Sequence, residues 1–314
     1  MSYKTRKLKE DYNKLMQPYG EKLKEKYDFA ASHPLISQSK SQKKIIKELP
    51  IAWESAEAAT QSDTENDFIK EFLKLEKQYE ILKHGKPLFS YSASISIIII
   101  ITYLLRKNYT TITLLEPCFD NLPDLLDDFG IKFIPLSEEL LHSTEKIYEN
   151  LNKHMAGEVL FLVDLNNPTG FHLPPESLRE IARFCHDHKK LLVIDFTFIG
   201  FVLPHKKLVF DDYKILDEEK ASYACIEDFA KIFPVLDTKV SFLISSNDIY
   251  PAIKRLQFDY LLNVSPFVLN VVRQYMKNAE KDHFASFTKV LEDNRSSLEK
   301  ALKGTCLEIV PSRQ

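Results

Sequence analysis

Two short runs constrain this chain most: Val159-Leu-Phe-Leu-Val163 and Leu191-Leu-Val-Ile-Asp195. Each is apolar until a carboxylate closes it, Asp164 after the first and Asp195 within the second. A strand with apolar side chains on both faces is covered on both faces, the situation of parallel sheets flanked by helices. Between the runs, residues 175–188 start at Pro174-Pro-Glu and place Leu178, Ile181, Ala182 and Cys185 at helical spacing. Strand, helix, strand predicts an α/β fold with a mostly parallel sheet and helices on both of its faces. In such folds ligands sit where polar residues gather at the carboxyl ends of the strands.

The alternation extends in both directions. Further strands are expected at 88–91, 110–115, 131–134, 222–226 and 240–245, with helices over 95–107, 121–129 and 144–155. The run Ile95-Ser-Ile-Ile-Ile-Ile-Ile has strand propensity, but its length and the cap-forming Ser92 and Ser94 ahead of it predict a buried helix. It is also about half of the ~20 residues that a spanning helix needs. Residues 1–26 read as an amphipathic helical arm, 27–62 as irregular, and 63–82 as a helix capped by Asp63-Thr-Glu-Asn. From 248 onward the pattern is helical, over 248–261, 265–280 and 283–302. The organisation predicted is an arm and helical segment (1–84), a large α/β domain (85–247), and a partial, mainly helical small domain (248–314) that stops short.

Composition narrows the function classes. The chain has 314 residues, 44% hydrophobic and 28% charged, enough for a large core. A net charge of −3 gives no reason to expect nucleic acid or an acidic membrane as partner. Cys118, Cys185, Cys225 and Cys306 are far apart and form no CxxC pair, which suits a reducing compartment. With no apolar leader near Met1, a cytoplasmic protein is expected. The pairs His186/His188 and His33/His205 lack a third ligand at metal spacing, so no metal site is expected.

The chemistry-bearing residues are Asn167 in Asn166-Asn-Pro-Thr-Gly170, Asp195 at its strand end, Lys231 in Asp228-Phe-Ala-Lys231, and Lys239 eight residues later. In this order, with 28 residues from Asn167 to Asp195 and 36 from Asp195 to Lys231, they resemble the class I/II aminotransferases. These are fold type I pyridoxal 5'-phosphate enzymes of the aspartate-aminotransferase fold. The resemblance covers roughly residues 85–310. It implies Lys231 as the Schiff-base lysine, Asp195 as partner of the pyridine nitrogen, and Asn167 as donor to the ring oxygen. It also implies Phe119 stacked on the ring, Ser92, Ala93, Ser94 and Lys239 around the phosphate, an amino-acid substrate, and a homodimer. The physical demands agree. An electron sink needs its ring nitrogen kept protonated, which a buried carboxylate does. A helix N-terminus offers N–H groups to phosphate.

The chain also departs from the family. Phe198 stands where a tyrosine usually hydrogen-bonds the ring oxygen. Asp228-Phe-Ala-Lys231 replaces Ser-x-Ser-Lys, and Lys239 replaces an arginine, a point charge for a fork. The arginine that clamps the substrate carboxylate would lie beyond Gln314. Aminotransfer is the first expectation. Other pyridoxal-phosphate chemistry (lyase, cyclase or oxidase) and a catalytically inactive binding homologue are the alternatives.

Overall fold

In the computed structural model, which describes residues 38–83, 86–229, 231–235 and 238–309, all seven expected strands form. They are β1 (Leu88–Ser90), β2 (Thr111–Glu116), β3 (Lys132–Ser137), β4 (Val159–Val163), β5 (Leu191–Asp195), β6 (Ser222–Asp228) and β7 (Ser241–Ser245). One sheet holds them in the order β1-β7-β6-β5-β4-β2-β3. From β3 across to β6 every pairing is parallel, and β7 runs antiparallel to both β6 and β1. The fully buried β4 and β5 lie at the centre, as their apolar runs require.

Eleven α-helices are present among the described residues: α1 (Gln42–Lys47), α2 (Leu49–Ala58), α3 (Gln61–Glu76), α4 (Ala93–Arg106), α5 (Asn121–Asp128), α6 (Thr144–His154), α7 (Pro175–Asp187), α8 (Asp212–Glu218), α9 (Tyr250–Leu261), α10 (Pro266–Asp282) and α11 (Ala285–Leu302). They cover both sheet faces. Val159, Phe161, Val193 and Ile226 meet α4, α5 and α9 on one side. Leu160, Leu162, Ile194 and Cys225 meet α3, α6, α7, α8 and α10 on the other. The Ile-rich run is the buried helix α4; none of the helices among the described residues is long and apolar enough to cross a membrane.

Three expectations need correction. Residues 42–58 of the stretch read as irregular are helical, as α1 and α2. No residue of α2 is buried, so it lacks the apolar stripe by which a helix is recognised. The helix expected over 63–82 begins two residues earlier and is capped by Thr60, whose hydroxyl accepts from Asp63 N at 3.2 Å. It ends at Glu76, where Lys77 turns left-handed (φ 60°), and a 3-10 turn over Tyr79–Lys83 follows. Helix α8, between β5 and β6, is an addition to the expected elements; Asp211 caps it by accepting from Lys214 N at 3.1 Å. The arm expected over 1–26 lies outside the described residues.

One face of β6 buries an unusual set of acids. Glu227 on β6, Glu76 on α3 and Asp212 on α8 are all under 5% exposed. Tyr213 donates to Glu227 Oε1 at 2.9 Å, and Gln78 bridges Asp212 through its amide (2.9 Å to Oδ2, 2.9 Å from Asp212 N). Burial first, and the neighbouring acids second, push Glu76 and Asp212 up to about 8 and Glu227 well above the carboxylate range. Each folded pKa is raised, so these protons are held by the fold and released on unfolding between about pH 4 and pH 8. The stability they carry is complete at the acid end of that window and is lost as pH rises through it. Glu76→Gln should therefore flatten the pH dependence of urea unfolding and add roughly 1–2 kcal/mol at about pH 8.5 relative to wild type. Parallel pH profiles for the two proteins would refute the assignment.

Candidate active site

Strand register gathers the sequence-predicted residues at one edge of the sheet. Val163 pairs with Asp195, Asp195 with Ile226, Asp228 with Ser241, and Ser241 with Ser90. The carboxyl ends of β1, β4, β5 and β6 and the start of β7 therefore form one row. From this row emerge Ser92–Ser94, the Asn167 turn, Phe198 after Asp195, Lys231 after Asp228, and Lys239 leading into β7. Phe119 follows β2 at the same edge and its carbonyl accepts from Leu122 N at 3.1 Å.

Asp195 is 4% exposed and its Oδ1 accepts from Thr197 N at 2.9 Å. Burial raises its pKa to about 6, partly offset by the bonds from Thr197; the Asp228 charge pushes it up and the Lys231 charge pulls it down. Lys231 places Nζ over the ring of Phe198, 5.5 Å from the centroid. Nearby, Gly200 leaves room for Ile232, the residue after Lys231: a Cβ there would come within 2.8 Å of Ile232 Cγ2. Cys118 lies close enough to feel Asp195; burial chiefly, then the charges of Glu116, Asp120 and Asp195, push its thiol up to about 12.

The α4 N-terminus closes the row. Ser92 accepts from Ile95 N at 3.3 Å as the cap, and Ser90, Ser96 and Ser241 form a buried hydroxyl chain (2.8 and 3.2 Å) beneath it. Ala93 N, the first helical amide, donates to Asp228 Oδ2 at 3.2 Å. Asp228 thus takes the position that a dipole-bound anion would favour. This explains how a carboxylate is tolerated where the family pattern has a hydroxyl.

Sequence reasoning misses the residues that fix the Asn167 turn. Asp164 Oδ1 accepts from His172 Nδ1 at 2.9 Å and from Leu173 N at 3.1 Å, tying the two ends of the loop. Burial opposes a charge on His172, yet the Asp164 carboxylate holds its pKa above the ordinary value. Asn166 donates from Nδ2 both to Pro117 O (2.9 Å) and to buried Glu138, while Asn166 N donates to Phe171 O at 2.8 Å. The signal in the chain is a polar cluster, Asp164, Asn166 and His172, around an apolar strand end; nothing in the spacing points to Glu138. Among the described residues no group of three or more His, Cys, Asp or Glu is placed to hold a metal ion.

The donor set fits a flat, phosphate-bearing ring with a basic nitrogen. A buried carboxylate of raised pKa gains from a cationic N–H, an aromatic-lined lysine lies beside it, and a capped helix N-terminus faces the same edge. Comparison with known proteins points the same way. The family model of aminotransferase class I and II matches residues 25–314. MppP, in a structure soaked with its product 2-ketoarginine, is 31% identical with a TM-score of 0.78, over 88% of this chain and 76% of that one. An aspartate aminotransferase tetra mutant from Thermus thermophilus (16%, TM-score 0.67, 90% and 77% covered) shares the fold. So does a PLP-bound putative aminotransferase from Clostridium difficile 630 (16%, 0.63, 85% and 69%). A search of curated proteins by sequence finds no match.

Asp195 is buried at a cost to stability. Its folded pKa is raised to about 6 from the ordinary carboxylate value, so its ionisation destabilises the cofactor-free fold as pH climbs through that range. Asp195→Asn should stabilise the cofactor-free protein at about pH 8 by on the order of 2 kcal/mol in urea unfolding. Unchanged or lower stability would show that the carboxylate is compensated in the fold.

Proposed function

Because the chain belongs to the aminotransferase class I and II family of pyridoxal-phosphate-dependent enzymes, we propose that it is an aminotransferase, converting an amino acid to its 2-oxo acid while a second 2-oxo acid takes up the amino group, with Lys231 bearing the cofactor. The observation that carries this reading is buried Asp195, raised in pKa and within the field of Lys231 at the end of β5. When bound, the cofactor supplies an electron sink for the pair left as the substrate Cα–H proton departs. Asp195 would keep a proton on the ring nitrogen. Asn167 would donate to the ring oxygen without a second donor from Phe198, which has no hydroxyl. Phe119, Ser92, Ala93, Ser94 and Lys239 would hold the ring and phosphate, and Lys231 would move the proton at Cα. The organisation that goes with this is an N-terminal segment over 1–84, a cofactor domain over 85–247 and a small, mainly helical segment over 248–314.

The substrate class we favour is an amino acid with a cationic side chain. MppP, the relative at 31% identity, is described with 2-ketoarginine as product, and this chain adds the carboxylate Asp228 to the cofactor edge. A homodimer is also part of the reading. Phe258 in α9 and Leu262 just beyond it, four residues apart, are 60% and 55% exposed, an apolar surface suited to a second copy of the chain. The cytoplasm is the compartment we assign, supported by four free cysteines.

Borohydride reduction of protein incubated with pyridoxal phosphate, followed by peptide mapping, should place the label on the Lys231 peptide. Lys231→Ala should carry no label there and keep its far-UV circular dichroism. A panel of amino acids with a 2-oxo acid acceptor should show turnover, lowered at least about 100-fold in Asp195→Ala. Arginine-like substrates should lead the panel, and Asp228→Asn should narrow that lead. Labelling without turnover of any amino acid would favour the inactive binding homologue, and no label at Lys231 would end the enzyme reading.

A further inference from the structure

We infer that Glu138 is a positioning residue for the cofactor site, acting through the Asn167 turn; this rests on the function proposed above. Glu138 opens the 3-10 turn Glu138–Leu141 that follows edge strand β3, and is 7% exposed. Its Oε2 accepts from Asn166 Nδ2 and from Thr169 Oγ1, and its Oε1 lies 3.4 Å from His142 Nε2. Two of its partners therefore flank Asn167 and Pro168 on either side. Thr169 Oγ1 in turn accepts from Phe171 N at 3.2 Å, and Gly170 N donates to Asn166 O at 2.7 Å. The second proton of the Asn166 amide goes to Pro117 O, two residues before Phe119.

One buried carboxylate consequently joins three loops: the segment after β2 that carries Phe119, the turn after β3, and the turn after β4 that carries Asn167. A charged acceptor makes stronger bonds than a neutral one and cannot leave the pocket without stranding two buried donors. Asn166 Oδ1 has no hydrogen-bond partner among the described residues, so the side chain is oriented by what it donates. So many bonds are out of proportion to closing a five-residue turn that Asp164 already ties at its ends. They make sense if the direction of the Asn167 amide matters. Asn167 is the remaining donor to the ring oxygen, since Phe198 brings none, and a small rotation there is felt directly by the charge on that oxygen.

The test reads the pH midpoint of the visible absorption band of the pyridoxal-phosphate-loaded protein. A donor to the ring oxygen stabilises its anionic form and keeps the midpoint low. Glu138→Ala should raise the midpoint by about half to one pH unit, in the same direction as Asn167→Ala. Glu138→Gln, which keeps one acceptor oxygen, should restore most of the wild-type value. Leu269→Ala, a core truncation in α10, which packs on α1, α2, α3 and α11, should lower thermal stability and leave the midpoint unmoved. Should Glu138→Ala not fold, Thr169→Val removes one of the two donors and is read in the same way. An unshifted midpoint in a loaded variant, or an equal shift in Leu269→Ala, overturns the inference while the proposed function stands. Failure of wild type to load at Lys231 removes both.

Discussion

The register of three parallel strands is the constraint on which the site depends. Val163, Asp195 and Ile226 are paired side by side across β4, β5 and β6, so whatever follows each strand must emerge at one edge. No slip is available, because a one-residue shift would exchange Leu192 and Ile194 for Val193 and Asp195 between two fully covered faces. The antiparallel return of β7 then aligns Ser241 with both Asp228 and Ser90. That brings the α4 N-terminus beside the Lys231 loop, although 135 residues of sequence separate Ala93 from Asp228. Distant polar residues meet through backbone hydrogen bonds made elsewhere.

Much of this is legible in the amino-acid sequence. The strands are readable because β4 and β5 are apolar on both faces, and α7 because its stripe is regular. Asp195, Asn167 and Lys231 stand out because each interrupts or follows an apolar run where burial of a polar group is costly. What the sequence hides has physical causes. Helix α2 buries nothing, so its residues carry no periodic record of a partner. Helix α8 is seven residues long, too short for a period to emerge. Glu138 sits in a turn after an edge strand whose outer positions are exposed, and in sequence it is one acid of the pair Glu138-Glu139. Only three-dimensional proximity separates the buried carboxylate from its neighbour.

The site also shows how the fold handles carboxylates that it cannot leave unpaired. Asp164 is tied to His172 and a backbone amide, Asp228 to the first amide of α4, and Glu138 to an amide, a hydroxyl and an imidazole. Glu227 and Asp212 on the far face rely on protonation and neutral donors instead. Asp195 differs from all of them. The Thr197 bonds and the Lys231 charge support its ionised form, and they leave its pKa at about 6. A buried group held between its ionised and neutral states at a strand end is what a cationic ring nitrogen would settle.

Asp228 then separates two demands that a hydroxyl in its place would not. As a cap on Ala93 N it stabilises α4 by its position at the positive end of the helix dipole. A phosphate at that helix start would bring at least one further negative charge to the same amides, and like charges so close cannot both keep them. Either a phosphate would be held by the later amides, Ser92, Ser94 and Lys239, or the carboxylate would turn away from the helix start. Both outcomes leave a negative charge where the family pattern is neutral. Under the substrate reading proposed above, that charge would disfavour anionic substrates and favour cationic ones, an effect of one residue beside the lysine that needs no change in the fold.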